Sequence, residues 1–283
     1  MRSLTGAVVM VQFSKFEALG NDFVLIDARQ NAFDPLPHQV ERLGDRHRGI
    51  GFDQLLILRS SDQATVSIDI HNHDGSLAEQ CGNGMRAVAL YLHLQEEIAE
   101  TAVFATRAGT VQINFQTAER ISATLPPPDF KPPPASPLAD GDRWTEHRDG
   151  IEFELNYVSL GNPHLVIGLN APASSDLLMQ LGQDFSQHPA LPQGANISLA
   201  HVASPDRIDL AVFERGAGPT LACGSGACAT AVSMIRQQRA DRTVRVDQSG
   251  GSLMINWQQD GDGITMTGAA RRVFTGEFDP NIF

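Results

Sequence analysis

Lysine is nearly missing from this chain. Only two of 283 residues are lysine, Lys15 and Lys131, and Lys131 lies in a proline-rich stretch. A pyridoxal-phosphate enzyme needs a Schiff-base lysine, so Lys15 is almost its only candidate and no cofactor of that kind is expected. Positive charge is scarce as a whole: 21 Lys and Arg against 33 Asp and Glu leave a net charge of −12. Such a chain has no basic surplus to displace counterions from phosphates or to hold an anionic membrane. Neither nucleic acid nor membrane is an expected partner. No apolar run approaches the ~18 residues of a transmembrane helix. The apolar stretch from Ala7 to Val11 is too short for a signal-peptide core and no clear cleavage site follows it. The expected location is cytoplasmic. Three cysteines, an odd number, make no disulfide framework, and free thiols in a reducing compartment are expected.

What is present is a sequence written twice. Hydrophobic residues make up 42% of it, enough for a core, and the length suggests two domains. Leu19-Gly20-Asn21 recurs as Leu160-Gly161-Asn162, 141 residues later. Cys81-Gly82-Asn83-Gly84 recurs as Cys223-Gly224-Ser225-Gly226, and the segment from Gly109 to Phe115 as that from Gly251 to Trp257, both at an offset of 142. Three matches in one order and register indicate a duplication. Between the copies runs Pro126-Pro127-Pro128-Asp129-Phe130-Lys131-Pro132-Pro133-Pro134, which can be neither helix nor central strand. The expected division is therefore a first domain of residues 12–125 with 270–283, a linker of 126–137, and a second domain of 138–269.

Strands are expected at Phe23 to Asp27, Gln54 to Leu58, Thr65 to Ile70, Val111 to Phe115, Asp209 to Phe213 and Leu253 to Trp257. Helices are expected at Arg86 to Gln95 and Ala227 to Gln238. The pattern predicts an α+β fold of two pseudo-symmetric halves, each a mixed or antiparallel sheet wrapped on one helix, with a cleft between them.

Each repeated cysteine precedes a Gly-x-Gly turn that opens a helix. A helix N-terminus carries unpaired N–H groups and about half a positive charge. That field favours a thiolate over the free thiol of pKa ~8.5 and also seats a carboxylate. A lone cysteine before glycine is commonly structural, but two at equivalent positions of a duplicated frame point to chemistry. Two opposed acid/base groups are what inversion at a carbon requires: one removes the α-proton, the other delivers a proton to the opposite face. Cys228, inside the second helix, reads as a small buried side chain. The Gly-x-Gly strings lack the following strand and acidic residue of a dinucleotide site. His71 and His73 lack a third ligand for a metal.

The chain resembles diaminopimelate epimerases. The resemblance lies in Phe13-Ser14-Lys15, Leu19-Gly20-Asn21-Asp22-Phe23, the segment from Arg46 to Gln54, Asp74-Gly75-Ser76 and Gln80-Cys81-Gly82-Asn83-Gly84. It continues in Gly161-Asn162-Pro163-His164, Glu214-Arg215-Gly216-Ala217-Gly218 and the segment from Ala222 to Ala229. It implies interconversion of LL- and meso-diaminopimelate, in lysine and peptidoglycan precursor synthesis, without cofactor or metal. It implies Cys81 as proton donor and Cys223 as proton acceptor in one direction, with His164 and Glu214 tuning the thiols. Substrate contacts carry over to Asn21, Gln54, Asn72, Asn162, Asn196, Glu214 and Arg215, and to the backbones of Gly82, Asn83, Gly224 and Ser225. The offset pairs Gln54 with Asn196 and Asn72 with Glu214 as well. Arg215 is the natural fork for a carboxylate. A homodimer is implied too, although Phe274 stands where relatives often carry tyrosine. Glu17-Ala18 replaces a usual His-Gly, and Pro219 a usual Glu. Residues before Val11 read as an extension, with Met10 an alternative start. The competing readings are a proline racemase or hydroxyproline epimerase, a related dehydratase, a non-enzymatic binding protein and a thiol–disulfide switch.

Overall fold

The computed structural model of the chain describes residues 9–133, 142–148 and 150–282. Most of the N-terminal extension and the end of the proline-rich stretch, from Pro134 on, lie outside these residues. The first half runs β1 (Val11–Ala18), β2 (Asn21–Asp27), α1 (Pro37–Gly44), β3 (Gln54–Arg59), β4 (Val66–Asn72) and β5 (Leu77–Ala78). It continues through α2 (Gly82–Leu94), β6 (Thr101–Thr106), β7 (Gly109–Thr117) and β8 (Arg120–Leu125). Then follow β9 (Arg143–Arg148), β10 (Ile151–Ser159), β11 (Pro163–Leu169), α3 (Ser175–Phe185), β12 (Asn196–Ser204), β13 (Arg207–Glu214) and β14 (Gly218–Thr220). The chain closes with α4 (Gly224–Arg236), β15 (Thr243–Gln248), β16 (Gly251–Asn256), β17 (Ile264–Gly268) and β18 (Arg271–Phe278).

The mixed sheets and their few helices make the expected α+β fold. Each sheet wraps a single long helix, α2 or α4. These helices are apolar on nearly every face, so they are buried along most of their length. Met85, Val88, Ala89 and Leu92 anchor α2 in the first core. Ala227, Ala231, Val232 and Ile235 do the same for α4 in the second. The helices begin earlier than the apolar spacing predicts, because each Gly-x-Gly is the first helical turn itself and the cysteine is the N-cap. Two further helices were not expected. Each links a parallel pair: α1 joins β2 to β3, and α3 joins β11 to β12. Their signals were short but real. Pro37 opens α1. The Ser174 side chain caps α3, whose Leu178, Leu181 and Phe185 share a buried face.

The halves are joined by backbone pairing. Strands β8 and β17 occupy equivalent places in the duplication and pair antiparallel with each other, from Ile264 opposite Leu125 to Gly268 opposite Ile121. The register maps onto itself when the halves are exchanged, so the pseudo-two-fold axis passes between the pairs Thr265–Thr124 and Met266–Ala123. The Ser122–Thr267 and Thr124–Thr265 hydroxyls bond across the same seam at 2.8 and 3.2 Å. The last strand, β18, returns to pair with β1, and β9 pairs with β10 in the corresponding way.

Met266 stands beside this axis, fully buried. A Cβ added at Gly82 would fall 2.3 Å from its terminal methyl, and one at Gly224 would fall 3.1 Å from its sulfur. The absence of side chains at these first helical positions lets both helix ends close over one methionine. Met266→Ala is expected to cost about 2–5 kcal/mol of stability, the usual range for emptying a buried methionine site. Urea unfolding measures it, and a cost below about 1 kcal/mol would show that the helix ends collapse into the space.

Candidate active site

Pairing register gathers the polar residues at one end of each sheet. Asn21 opens β2, and Gln54 opens β3 opposite Phe23. Gln54 in turn pairs with Asn72 at the end of β4. The second half repeats the scheme: His164 pairs with Asn196 at the start of β11 and β12, and Glu214 ends β13 beside them. The helix caps follow directly, so α2 and α4 point their N-termini at the same end.

The two cysteines are free and take equivalent conformations. Cys81 accepts the Gly84 N–H at 3.3 Å, and Cys223 accepts the Gly226 N–H at 3.4 Å. The remaining N–H groups of each first turn have no partner within the helix. Around Cys81, the Asn21 Oδ1 lies 3.9 Å from the sulfur and accepts from Asn83 Nδ2 at 3.4 Å. A Cβ on Gly224 would sit 2.9 Å from Asn83 Oδ1, so the opening turns of the two helices touch. Around Cys223, Ser225 Oγ stands 3.5 Å from the sulfur and accepts from Asn162 Nδ2 at 3.3 Å. Asn162 Oδ1 meets His164 Nε2 at 3.2 Å. Asn196 holds the Arg215 backbone N–H at 2.9 Å. Glu214 accepts a hydrogen bond from the Thr220 hydroxyl at 2.6 Å, and its charge bears on the Cys223 thiol.

Three of the expected contact residues, Gln54, Asn72 and Arg215, make no hydrogen bond to either thiol. Gln54 Nε2 donates to Asn72 Oδ1 at 2.9 Å, and Gln54 Oε1 is buried without a partner. The Arg215 guanidinium is exposed and donates to the Gln193 carbonyl at 2.7 Å. No carboxylate pairs with it among the described residues, so it is not a surface ion pair.

The expectation that the helix field lowers both thiols is corrected by the geometry. Burial pushes Cys81 up to about 11 against the Gly84 N–H, with the Glu214 charge adding to the rise. Burial and then Glu214 also push Cys223 up. One carboxylate therefore acts on both thiols, which fall within its field. Burial raises Glu214 itself. Burial, with Arg215 helping, pushes His164 down to about 3. His164 is thus neutral at ordinary pH, and it orients Asn162 and contributes no charge.

Residues that the sequence reading left without a role hold Asn21 in place. Asp53 accepts from Asn21 Nδ2 at 2.9 Å and from Arg46 at 2.8 Å. Arg46 also forks onto Asp22 at 3.0 and 2.7 Å. Burial opposes the charge on Asp22, yet hydrogen bonds from Arg46 and Lys15 hold its pKa at about 2. Lys15 is buried, pairs with Asp22 at 2.6 Å and donates to the Gly51 carbonyl. Gln248 accepts the Cys223 N–H at 2.8 Å. The run from Arg46 to Gln54 was visible in the sequence as a motif, but its partner Asp22 is distant in the chain. Nothing local marked Gln248. Among the described residues no group of three or more His, Cys, Asp or Glu is arranged to hold a metal ion. No helix there is long and apolar enough to cross a membrane.

Comparison with known proteins bears on the fold and on the family. In solved structures the fold is similar to a PhzF-family phenazine biosynthesis protein from Bacillus anthracis (TM-score 0.69, 16% identity, 95% of this chain and 99% of that one). It is also similar to a hydroxyproline epimerase from Agrobacterium vitis (TM-score 0.71, 12% identity, 98% and 93% covered). At such identities the likeness concerns the fold alone. Sequence relatives are nearer. The diaminopimelate epimerase of Pseudomonas savastanoi pv. phaseolicola is 37% identical over 278 residues, and that of Thioalkalivibrio sulfidiphilus 39% over 276. Each alignment covers 95% of this chain and 99% of the relative. The diaminopimelate epimerase family model matches residues 13–127 and 156–273, both copies of the cysteine frame included. The chain belongs to the diaminopimelate epimerase family.

Proposed function

We propose that this chain interconverts LL- and meso-diaminopimelate with two thiols and no cofactor. The observation that carries the reading is the pair of free cysteines capping two helices that meet at one axis, with Glu214 acting on both. Each helix end offers N–H groups, from Gly82 and Asn83 or Gly224 and Ser225, to the substrate α-carboxylate. The Cys223 proton passes to Glu214, whose raised pKa suits it to receive one. The Cys223 thiolate then removes the α-proton from one face, and the Cys81 thiol delivers its proton to the other. In the reverse reaction the thiols exchange roles. The substrate's distal amino acid falls to the outer polar groups: Asn72 with Gln54, Asn162, Asn196, and the exposed guanidinium of Arg215, which no carboxylate of the described residues engages. Lys15 is committed to Asp22 and Gly51, which leaves no buried lysine for a pyridoxal Schiff base. Val273 and Phe274 are exposed on β18, whose outer edge is unpaired among the described residues. We assign this face to a second copy of the chain.

Incubation of the reduced protein with LL-diaminopimelate or L-proline in deuterated water tests the reading. Inversion with deuterium at the α-carbon is expected for diaminopimelate and not for proline. Cys81→Ala and Cys223→Ala are each expected to reduce it about 10²–10⁴-fold, the worth of a positioned acid or base. Full activity in either variant rules out the two-thiol mechanism.

Glu214→Gln removes a charge that raises Cys223. The pH onset of Cys223 alkylation by iodoacetamide should therefore move down, by about one unit, while turnover falls. An onset that moves up would contradict the role given to Glu214. For the second copy, Phe274→Asp is expected to shift the sedimentation mass from dimer to monomer. A dimer that persists would place the contact elsewhere.

A further inference from the structure

The duplicated frame carries an unlike pair where its halves meet. On α2, five residues after Cys81, stands Arg86; on α4, at the equivalent position 142 residues later, stands Cys228. Arg86 is fully buried. Its Nη2 donates to Asn83 Oδ1 at 3.0 Å and its Nε to the Ala269 carbonyl at 3.2 Å. Its Nη1 is buried with no partner, and no carboxylate among the described residues forms an ion pair with it. An unpaired buried cation is costly. The other half of the same chain fills the same place with a small uncharged side chain, so packing alone does not call for a guanidinium. What the charge does bear on is Cys81, five residues back at the helix cap, reached also through the chain of contacts from Asn83 to Asn21 to the Cys81 sulfur.

We propose that Arg86 is a positioning residue that makes the two thiols inequivalent: its charge, standing behind the first helix cap, makes Cys81 the thiol that ionises first in the free chain, the state from which the reverse reaction starts, while the forward reaction needs Glu214 to take the Cys223 proton; its grip on Asn83 fixes the Asn21 contact to that sulfur. Role and reaction rest on the two-thiol reading above. The charged and titratable groups bearing on Cys81 are Arg86 on its own helix and Glu214 from β13. Those bearing on Arg86 are Cys81, Cys228 from α4 and Glu17 from β1. For Cys223 the forces opposing its rise are hydrogen bonds from Ser225 and Gly226, with no cation among them. Burial pushes Arg86 down to about 10, which leaves it cationic at neutral pH.

Iodoacetamide alkylation of the reduced full chain, without substrate, tests this. Each cysteine is followed by peptide mass from about pH 7 to about pH 12, a range that reaches the raised thiols, since the thiolate is the reacting form. The readout is the pH midpoint and not the rate, because Cys81 is more exposed than Cys223. The expected result is a lower midpoint for Cys81 than for Cys223. Arg86→Met should raise the Cys81 midpoint by about one unit, a tenfold lower thiolate fraction, and leave Cys223 in place. Arg86→Lys keeps the charge and should keep most of the midpoint while losing turnover through Asn83. A Cys223 midpoint below that of Cys81 in the unaltered protein overturns the proposal. So does a folded Arg86→Met protein whose Cys81 midpoint has not moved. If Arg86→Met does not fold, the order of midpoints in the unaltered protein and the Arg86→Lys midpoint decide. Alkylation reads the thiols whether or not the chain turns over diaminopimelate, so failure here is separate from failure of the epimerase reading.

Discussion

The structure depends on one constraint: the opening turns of two buried helices must meet. Pairing of β8 with β17 sets the axis, and Met266 on that seam is the floor on which both turns rest. Glycine at the first helical position of each is what the approach requires. Once the turns touch, the two N-cap cysteines come to the same end of the sheets, and strand register brings the amides and Glu214 to that end. A loss of register at the seam would disturb both caps at once, because one hydrogen-bonded pair of strands carries both halves.

The same closeness decides the protonation state of the site. A helix terminus stabilises a charge by about 0.3–1 kcal/mol, up to ~2 when partly buried. That is roughly one unit of pKa. Desolvation of a fully buried group moves a pKa by as much as about 3–5 units. Burial therefore outweighs the helix field, and Cys81 and Cys223 rest as thiols. The helix ends still matter, because their N–H groups bind a carboxylate and hold the sulfurs in place. Ionisation of a thiol then needs a nearby proton acceptor. Glu214, itself raised by burial and acting on Cys223 through its charge, meets that need.

Much of this was legible in the sequence, for physical reasons. The duplication fixed the equivalence of the two caps, and the offset paired Gln54 with Asn196 and Asn72 with Glu214 before any register was known. Nearly continuous apolar residues after each Gly-x-Gly turn mark α2 and α4, while α1 and α3 bury only one face and carry fewer apolar residues to signal them. The thiol state was not legible, because it turns on burial, which no local pattern gives. The Asp22–Arg46–Asp53 network escaped for a different reason: its members are separated in the chain and meet only when β2 and β3 pair in parallel. Gln248 reaches Cys223 from the end of β15, again a contact made by the fold and not by neighbouring residues.

A symmetric frame with unlike substitutions suits inversion of a stereocentre. The backbone must present two equivalent faces, because the proton leaves one and arrives at the other. The charges need not match, because one thiol must be ionised while the other is protonated. Two identical sites coupled through one cleft would favour neither arrangement. Here the differences fall at the equivalent positions themselves: Glu214 against Asn72, His164 against Phe23, Arg86 against Cys228. The first places an anion beside Cys223, the second a neutral hydrogen-bonding ring beside Asn162, the third a cation behind Cys81. Repetition thus supplies the geometry, and the few departures from repetition supply the polarity that lets a proton move in one direction at a time.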